Sequence, residues 1–250
     1  MIDAVKLHRP AARRRAGLFL AEGPNLIEAA LRSGAVEEVF ATGAAAERFA
    51  DLLSAASVRL VTDRAAKALS DTVTPVGLVA VCRSNAAEWS EVVGRLPRFV
   101  VVAVDISEPG NAGTLIRVAD AMGADAVVLA GDSVDPFNGK CLRASAGSIF
   151  NIPVVPAGNA ETIAKDLSEQ GAALLATTLD GDLSLDDADT ILAGPCAWFL
   201  GNEARGLDDA TAALATHRIT IPMRGGAESL NLASAASICL YATARMHRGQ

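Results

Sequence analysis

Several short segments of this chain are apolar at every position, among them FVVVAV at 99–104 and AVVLA at 126–130. A strand with no polar face needs cover on both sides, which a parallel sheet flanked by helices supplies. Ala-rich helical stretches lie between these segments, so the chain reads as α/β. Expected strands fall into two series. The first comprises 17–22, 36–42, 58–62 and 77–82. The second comprises 99–105, 126–130, 152–156, 172–178, 196–201 and 217–222. A helix is expected over 24–34, stopped by Gly34. The polar stretch 83–98 reads as a linker carrying a short helix. Two α/β domains are therefore expected, with a boundary near 84–97.

Composition narrows the class. Hydrophobic residues make up 51% of the 250 residues, enough for a large core, and the net charge is −7. That charge argues against nucleic-acid binding over the whole surface and leaves room for a local basic patch. Cys82, Cys141, Cys196 and Cys239 are far apart, and His8, His217 and His247 are isolated, so no metal or redox site is expected. With neither a signal-peptide pattern nor a bilayer-length apolar run, a soluble cytoplasmic protein is expected.

Three segments look unlike scaffolding. In DISEPGNAGTLIRVADAMGAD (105–125) a buried strand ends at Asp105, a Gly/Pro/Asn turn follows, and a helix is expected from near Thr114. Loops at strand carboxyl ends build ligand sites in open α/β sheets. Asn111 offers both a donor and acceptors, and Arg117 a bidentate fork for phosphate; a solvated surface arginine is the plainer reading. In WFLGNEARGLDD (198–209) two glycines bracket Glu203 and Arg205, as where backbone passes close to a ligand, and Asp208 reads as the next helix cap. In ITIPMRGGAESLNLASAA (219–236) a strand ends at Pro222, and an Arg-Gly-Gly loop leads to Ser229 and Asn231 at a helix start. The plain reading makes Ser229 only the cap. On the helix that follows, Leu232, Ala235, Ala236, Cys239, Thr243 and Met246 share one face, suited to core packing or to a close subunit contact.

In this order, each at a strand's carboxyl end, the three segments resemble the signature motifs of the SpoU/TrmH branch of the SPOUT RNA methyltransferases. The matching elements are Asn111, Gly113 and Arg117; LGNEARGL at 200–207; and IPMRGGAESLNLASAA at 221–236. The opening phrase FLAEGPNLIEAAL at 19–31 resembles the L30e-like substrate-binding domain that often precedes them.

The resemblance implies a SPOUT domain over 97–250 with a parallel sheet and a deep trefoil knot, behind a smaller L30e-like RNA-binding domain over 1–90. It implies S-adenosylmethionine as cofactor, held by Thr178, Leu179, Gly201, Ile221, Met223 and Leu230. It implies transfer of the methyl group to a ribose 2′-hydroxyl in structured RNA by a homodimer; ribosomal RNA and transfer RNA are both open as targets, and the separate N-terminal domain favours ribosomal RNA. Asn111, Arg117, Glu203, Ser229 and Asn231 would form the catalytic network, with Arg117 gripping the phosphate beside the target ribose. The basic stretch of residues 1–15 is the candidate phosphate-contacting patch, through Arg9, Arg13, Arg14 and Arg15. Its alternative is a frayed, solvated helix; deleting 1–15 is expected to weaken RNA binding without unfolding the chain. Two rivals remain: a nucleotide-dependent oxidoreductase, which the missing GxGxxG disfavours, and a non-catalytic RNA-binding protein that keeps the pocket.

Overall fold

The computed structural model describes residues 2–202 and 204–248. Among them, β1 (Leu18–Glu22), β2 (Val36–Ala41), β3 (Val58–Leu60) and β4 (Leu78–Arg83) form one sheet in the order β1-β4-β2-β3. β4 runs antiparallel to β1 and β2, while β2 and β3 are parallel. The helix Pro24–Arg32 packs on this sheet through Leu26, Ile27, Ala29 and Ala30. Gly34, at φ +71°, turns the chain out of it.

The second sheet contains β5 (Phe99–Val104), β6 (Ala126–Ala130), β7 (Val154–Gly158), β8 (Ala173–Thr177), β9 (Leu183–Ser184), β10 (Cys196–Leu200) and β11 (His217–Thr220). Its order is β7-β6-β5-β10-β8-β11-β9, and every pairing is parallel. β5, β6 and β10 are buried along their whole length, as their unbroken apolar character requires. Each fully buried Val or Leu here contributes about 1.5–3 kcal/mol. β9, with two residues, is too short to leave a periodic signal and was not expected.

Strand order decides where a site can form. The chain steps outward from β5 through β6 to β7, then crosses to β8 on the other side. β10 later inserts between β5 and β8. Such a reversal opens a crevice outside the carboxyl ends of the strands. Because all strands are parallel, the segments after β5, β8, β10 and β11 leave from the same edge, side by side.

Two expectations need correction, and one open choice is decided. The helix expected from Thr114 begins at Pro109. The Glu108 carboxylate caps it, accepting from the Asn111 backbone N–H at 2.7 Å, and Pro109 sets φ in its first turn. The start of the chain is not a frayed helix. Ala4 and Leu7 pack with Phe40, Leu69, Val79 and Val81 over one face of the first sheet, so removing 1–15 would strip that face. The small-residue face of the last helix, Leu232–Met246, is core: Leu232, Ala236, Cys239 and Thr243 are buried, and Trp198 Nε1 donates to Thr243 Oγ1 at 2.9 Å.

The linker is held rather than loose. Its helix Trp89–Val93 docks through Trp89 Nε1 donating to Asp166 Oδ2 at 2.8 Å, and Ala86 bridges to Val154. Phe19 of the first sheet meets Phe137 with ring centroids 4.8 Å apart, inside an apolar cluster that runs through both sheets.

Candidate functional site

A cavity of about 470 Å³ opens beyond the carboxyl ends of β8, β10 and β11. Three chain segments build its walls: 177–180 after β8, 201–207 after β10, and 219–232 around the end of β11. All six residues expected to hold a cofactor, Thr178, Leu179, Gly201, Ile221, Met223 and Leu230, line it, as does Ser229. The size suits a nucleoside-sized ligand.

Each wall has a local cause. After β8, the Thr178 N–H donates to the Ile219 carbonyl at 3.0 Å, and Arg218 Nη2 donates to Asp180 Oδ1 at 2.5 Å. A Cβ on Gly181 would lie 2.7 Å from the Arg218 carbonyl oxygen, so only glycine lets this turn lie against β11. After β10, Asn202 and Gly206 exchange backbone hydrogen bonds at 3.0 and 2.8 Å, closing a tight loop. A Cβ on Gly201 would sit 2.1 Å from the Gly206 carbonyl carbon. The first glycine is therefore demanded by the chain's own backbone, where the sequence had pointed to a ligand. Asn202 Nδ2 donates to the Asp105 carbonyl at 2.8 Å, tying this loop to the end of β5. Asp208 caps the short helix Asp209–Ala212 as expected; backbone and hydroxyl donors from Thr211 hold its carboxyl below the usual range.

After β11, the cap of the last helix is Asn231, not Ser229: Asn231 Oδ1 accepts from the Ala233 N–H at 2.9 Å. Its Nδ2 donates to Asn111 Oδ1 at 3.2 Å. Segments one and three thus meet beside Leu230 at the cavity wall. Within the first segment, Gly113 is a packing residue. A Cβ there would lie 2.2 Å from the Cys141 carbonyl oxygen, where the helix Gly139–Ser145 crosses.

The surroundings favour a ligand. Leu179, Met223 and Leu230 are large apolar side chains left exposed around this one cavity. Thr178, on the same wall, keeps its Oγ1 buried.

Two expected groups, Arg117 and the basic stretch, do not line this cavity. Arg117 is exposed on the helix Pro109–Ala121 and does not line the cavity of its own chain. It lies six residues beyond Asn111, roughly 120° away around the helix at 3.6 residues per turn. Glu203 falls outside the described residues. In the basic stretch, Arg9, Arg14 and Arg15 are exposed, but Arg13 is not available for phosphate. It is 7% exposed, its Nη2 bonds Asp135 Oδ2 at 2.6 Å, and its Nη1 bonds the carbonyls of Leu7 and His8 at 2.9 and 3.0 Å. Sequence reasoning gave no role to Asn202, which stood inside the second motif, and passed over Arg218, which nothing local marked.

Among the described residues no group of three His, Cys, Asp or Glu side chains could hold a metal, and no helix is long and apolar enough to cross a membrane. Burial pushes the thiols of Cys82, Cys141, Cys196 and Cys239 up to about 12.

Residues 98–241 match the SpoU rRNA Methylase family, and residues 3–80 match the MRM3-like substrate binding domain. The 23S rRNA (guanosine(2553)-2′-O)-methyltransferase RlmP of Bacillus subtilis (strain 168) is 35% identical over 240 residues, covering 96% of this chain and 93% of that protein. The SpoU methyltransferase AviRb from Streptomyces viridochromogenes, in complex with AdoMet, superposes with a TM-score of 0.87 at 29% identity, over 99% of this chain and 97% of that one. An AdoMet-bound rRNA methyltransferase from Sinorhizobium meliloti gives a TM-score of 0.83 at 30% identity, over 98% and 94%.

Proposed function

The chain belongs to the SpoU rRNA methylase family of RNA methyltransferases, and from that premise we propose that it transfers a methyl group from S-adenosylmethionine to a ribose 2′-hydroxyl of ribosomal RNA. One observation carries the reading. Three loops from distant parts of the chain converge at the carboxyl edge of one parallel sheet and enclose a nucleoside-sized cavity.

The cofactor fits what lines this cavity. Gly201, Ile221 and Leu230 offer backbone and apolar surface for an adenine ring; Thr178 stands in the same wall, and Leu179 and Met223 add exposed apolar side chains to the lining. When bound, the sulfonium cofactor supplies an electrophilic methyl group. The chain must supply the rest: it must seat the ribose oxygen in line and stabilise the charge that grows on it. Arg117 grips the phosphate beside the target ribose with its fork and favours charge on the 2′-oxygen. Asn111 and Asn231 form the polar floor of this arrangement, Ser229 positions the ribose, and Glu203 completes the network.

We assign residues 1–90 to binding the RNA and 97–250 to the knotted catalytic domain. The charges support this division: residues 1–83 carry eleven Lys/Arg against nine Asp/Glu, and the remainder eleven against twenty. Arg9, Arg14 and Arg15 form the exposed part of the phosphate patch. The knot has its support in β10, inserted between β5 and β8 with its following loop fastened to Asp105. The working unit is a cytoplasmic homodimer. Arg117 is exposed and does not line its own cavity, and the last helix, which packs along the helix Pro109–Ala121, leaves Ile238 and Tyr241 exposed. A second copy on this side would bring Arg117 to the partner's cofactor.

Mapping ribose 2′-O-methylation in ribosomal and transfer RNA, from cells with and without the gene, tests the activity. Loss of a ribosomal RNA mark supports it, and an unchanged methylation map overturns it. Mixing Arg117→Ala with an inactive cofactor-site variant tests the dimer. Mixed dimers should regain activity, because one composite site is intact; no recovery, with mixed dimers formed, sinks the shared site.

A further inference from the structure

The helix Gly139–Ser145 touches both domains. On the catalytic side it packs on the helix Pro109–Ala121, which carries Asn111 and Arg117. Gly113 of that helix meets the Cys141 carbonyl, and Lys140 Nζ donates to Glu108, its cap. Toward the first domain, Arg143 Nη1 donates to the Asp71 carboxylate and lies 3.8 Å from Glu22 Oε2. Asp71 comes so close that its Oδ2 would lie 2.5 Å from a Cβ on Gly139. Glu22 accepts from the hydroxyls of Ser70 and Thr72 and from the Asp71 N–H, which fixes the 70–72 loop beside Arg143. A second pair crosses in the opposite sense. Arg13 of the first domain donates through Nε and Nη2 to Asp135 Oδ2, at 3.0 and 2.6 Å, just ahead of the same helix. Arg13, Glu22, Asp71 and Arg143 line one small cavity of about 50 Å³ at this junction.

We propose that these reciprocal ion pairs clamp the first domain to the helix that bears Arg117, and that Arg143 and Asp135 are positioning residues for methyl transfer to RNA. This rests on the RNA methyltransferase reading above and adds to it how the bound RNA is kept in register. The exposed Arg9, Arg14 and Arg15 and the Arg117 of the same protomer grip one RNA molecule. The distance between them therefore sets where the target ribose lies, and a misplacement of about 1 Å costs about 100-fold in rate. The Phe19–Phe137 contact supplies cohesion without direction, whereas charged hydrogen bonds fix direction as well as distance. The Arg143 pairs are partly open to water and contribute little to stability, so losing them shifts position without unfolding the chain.

Single-turnover methylation by the whole protein, on ribosomal RNA from cells lacking the gene, tests the clamp when RNA and cofactor affinities are measured alongside. Arg143→Met should lower the rate at saturating RNA at least fivefold. Its RNA affinity should stay within threefold of wild type, and its affinity for S-adenosylhomocysteine within twofold. Arg143→Lys, which keeps a charged donor for Asp71, should return the rate to within threefold of wild type. Adding Asp135→Asn to Arg143→Met should slow the reaction at least threefold more. A rate loss matched by losses of cofactor affinity and melting temperature, and not rescued by lysine, would mean that Arg143 only supports the fold, and would overturn the proposal. Weaker RNA binding with an unchanged saturated rate would make Arg143 an RNA contact and overturn it too. An unchanged rate in Arg143→Met would show that the apolar junction suffices and reject the clamp, while leaving the methyltransferase reading standing. Absence of methylation by the wild-type protein would remove that reading, and this inference with it.

Discussion

Asn231 and Asn111, 120 positions apart in the chain, join side chain to side chain at 3.2 Å. The same Asn231 caps the last helix through its other amide atom. One residue therefore sets both where the helix begins and where the first motif meets the third. Its two roles can be separated, because the cap uses the acceptor and the link uses the donor.

Asn231→Asp keeps the cap acceptor and loses the donor to Asn111. Its melting temperature should stay near wild type while methylation falls at least tenfold. Asn231→Ala should in addition cost about 1 kcal/mol of stability through the lost cap. Wild-type turnover in Asn231→Asp, measured with labelled cofactor and RNA, would separate this contact from the reaction.

Arg117→Ala should abolish methylation and leave cofactor affinity within about twofold. Arg117 is exposed, so stability should change by less than about 0.5 kcal/mol. Arg117→Lys should recover little, since a point charge cannot reproduce a bidentate grip on phosphate. Single-turnover rates alongside calorimetry check both statements.

Gly113→Ala gains intrinsic helix propensity of about 1 kcal/mol, yet its methyl group meets the Cys141 carbonyl oxygen and the Ala144 side chain. Overpacking of this kind costs about 1–3 kcal/mol, so the clash should win or cancel the gain. Urea denaturation of the variant should show no stabilisation. A clear rise in the midpoint would mean that the two helices separate more easily than this contact implies.

Arg13→Ala should destabilise the protein by about 2 kcal/mol, because it leaves the half-buried Asp135 and two carbonyls without their charged donor. Arg14→Ala and Arg15→Ala should leave the melting temperature unchanged and weaken RNA binding, with a shallower salt dependence. The contrast between neighbours is the test. Equal effects of all three on RNA affinity, with no effect of Arg13→Ala on stability, would refute the division.

The four buried thiols should react slowly with a thiol reagent at pH 8 in the folded protein and fast in denaturant, since thiolate is scarce when the value is pushed to about 12. The sign for stability follows. The folded values lie above the unfolded ones, so their contribution is full below about pH 9 and is lost as pH rises toward 12.

The sequence alone determined the strand series, the parallel sheet and the three motif loops. These depend on local periodicity, and unbroken apolar runs leave few alternatives to a covered parallel sheet. It also brought out Asn111, Asn231 and the residues that line the cavity, because the motifs keep them in order. Tertiary structure decided what no local pattern records. Arg13, Arg14 and Arg15 are identical letters in a row, yet only Arg13 faces inward to meet Asp135. Gly113 and Gly201 are required by backbone arriving from elsewhere in the fold. Asp180 and Arg218 face each other only because β11 lies beside β8. Burial, close approach and ion pairing join residues far apart along the chain, and these properties come into being only when the sheet order is set.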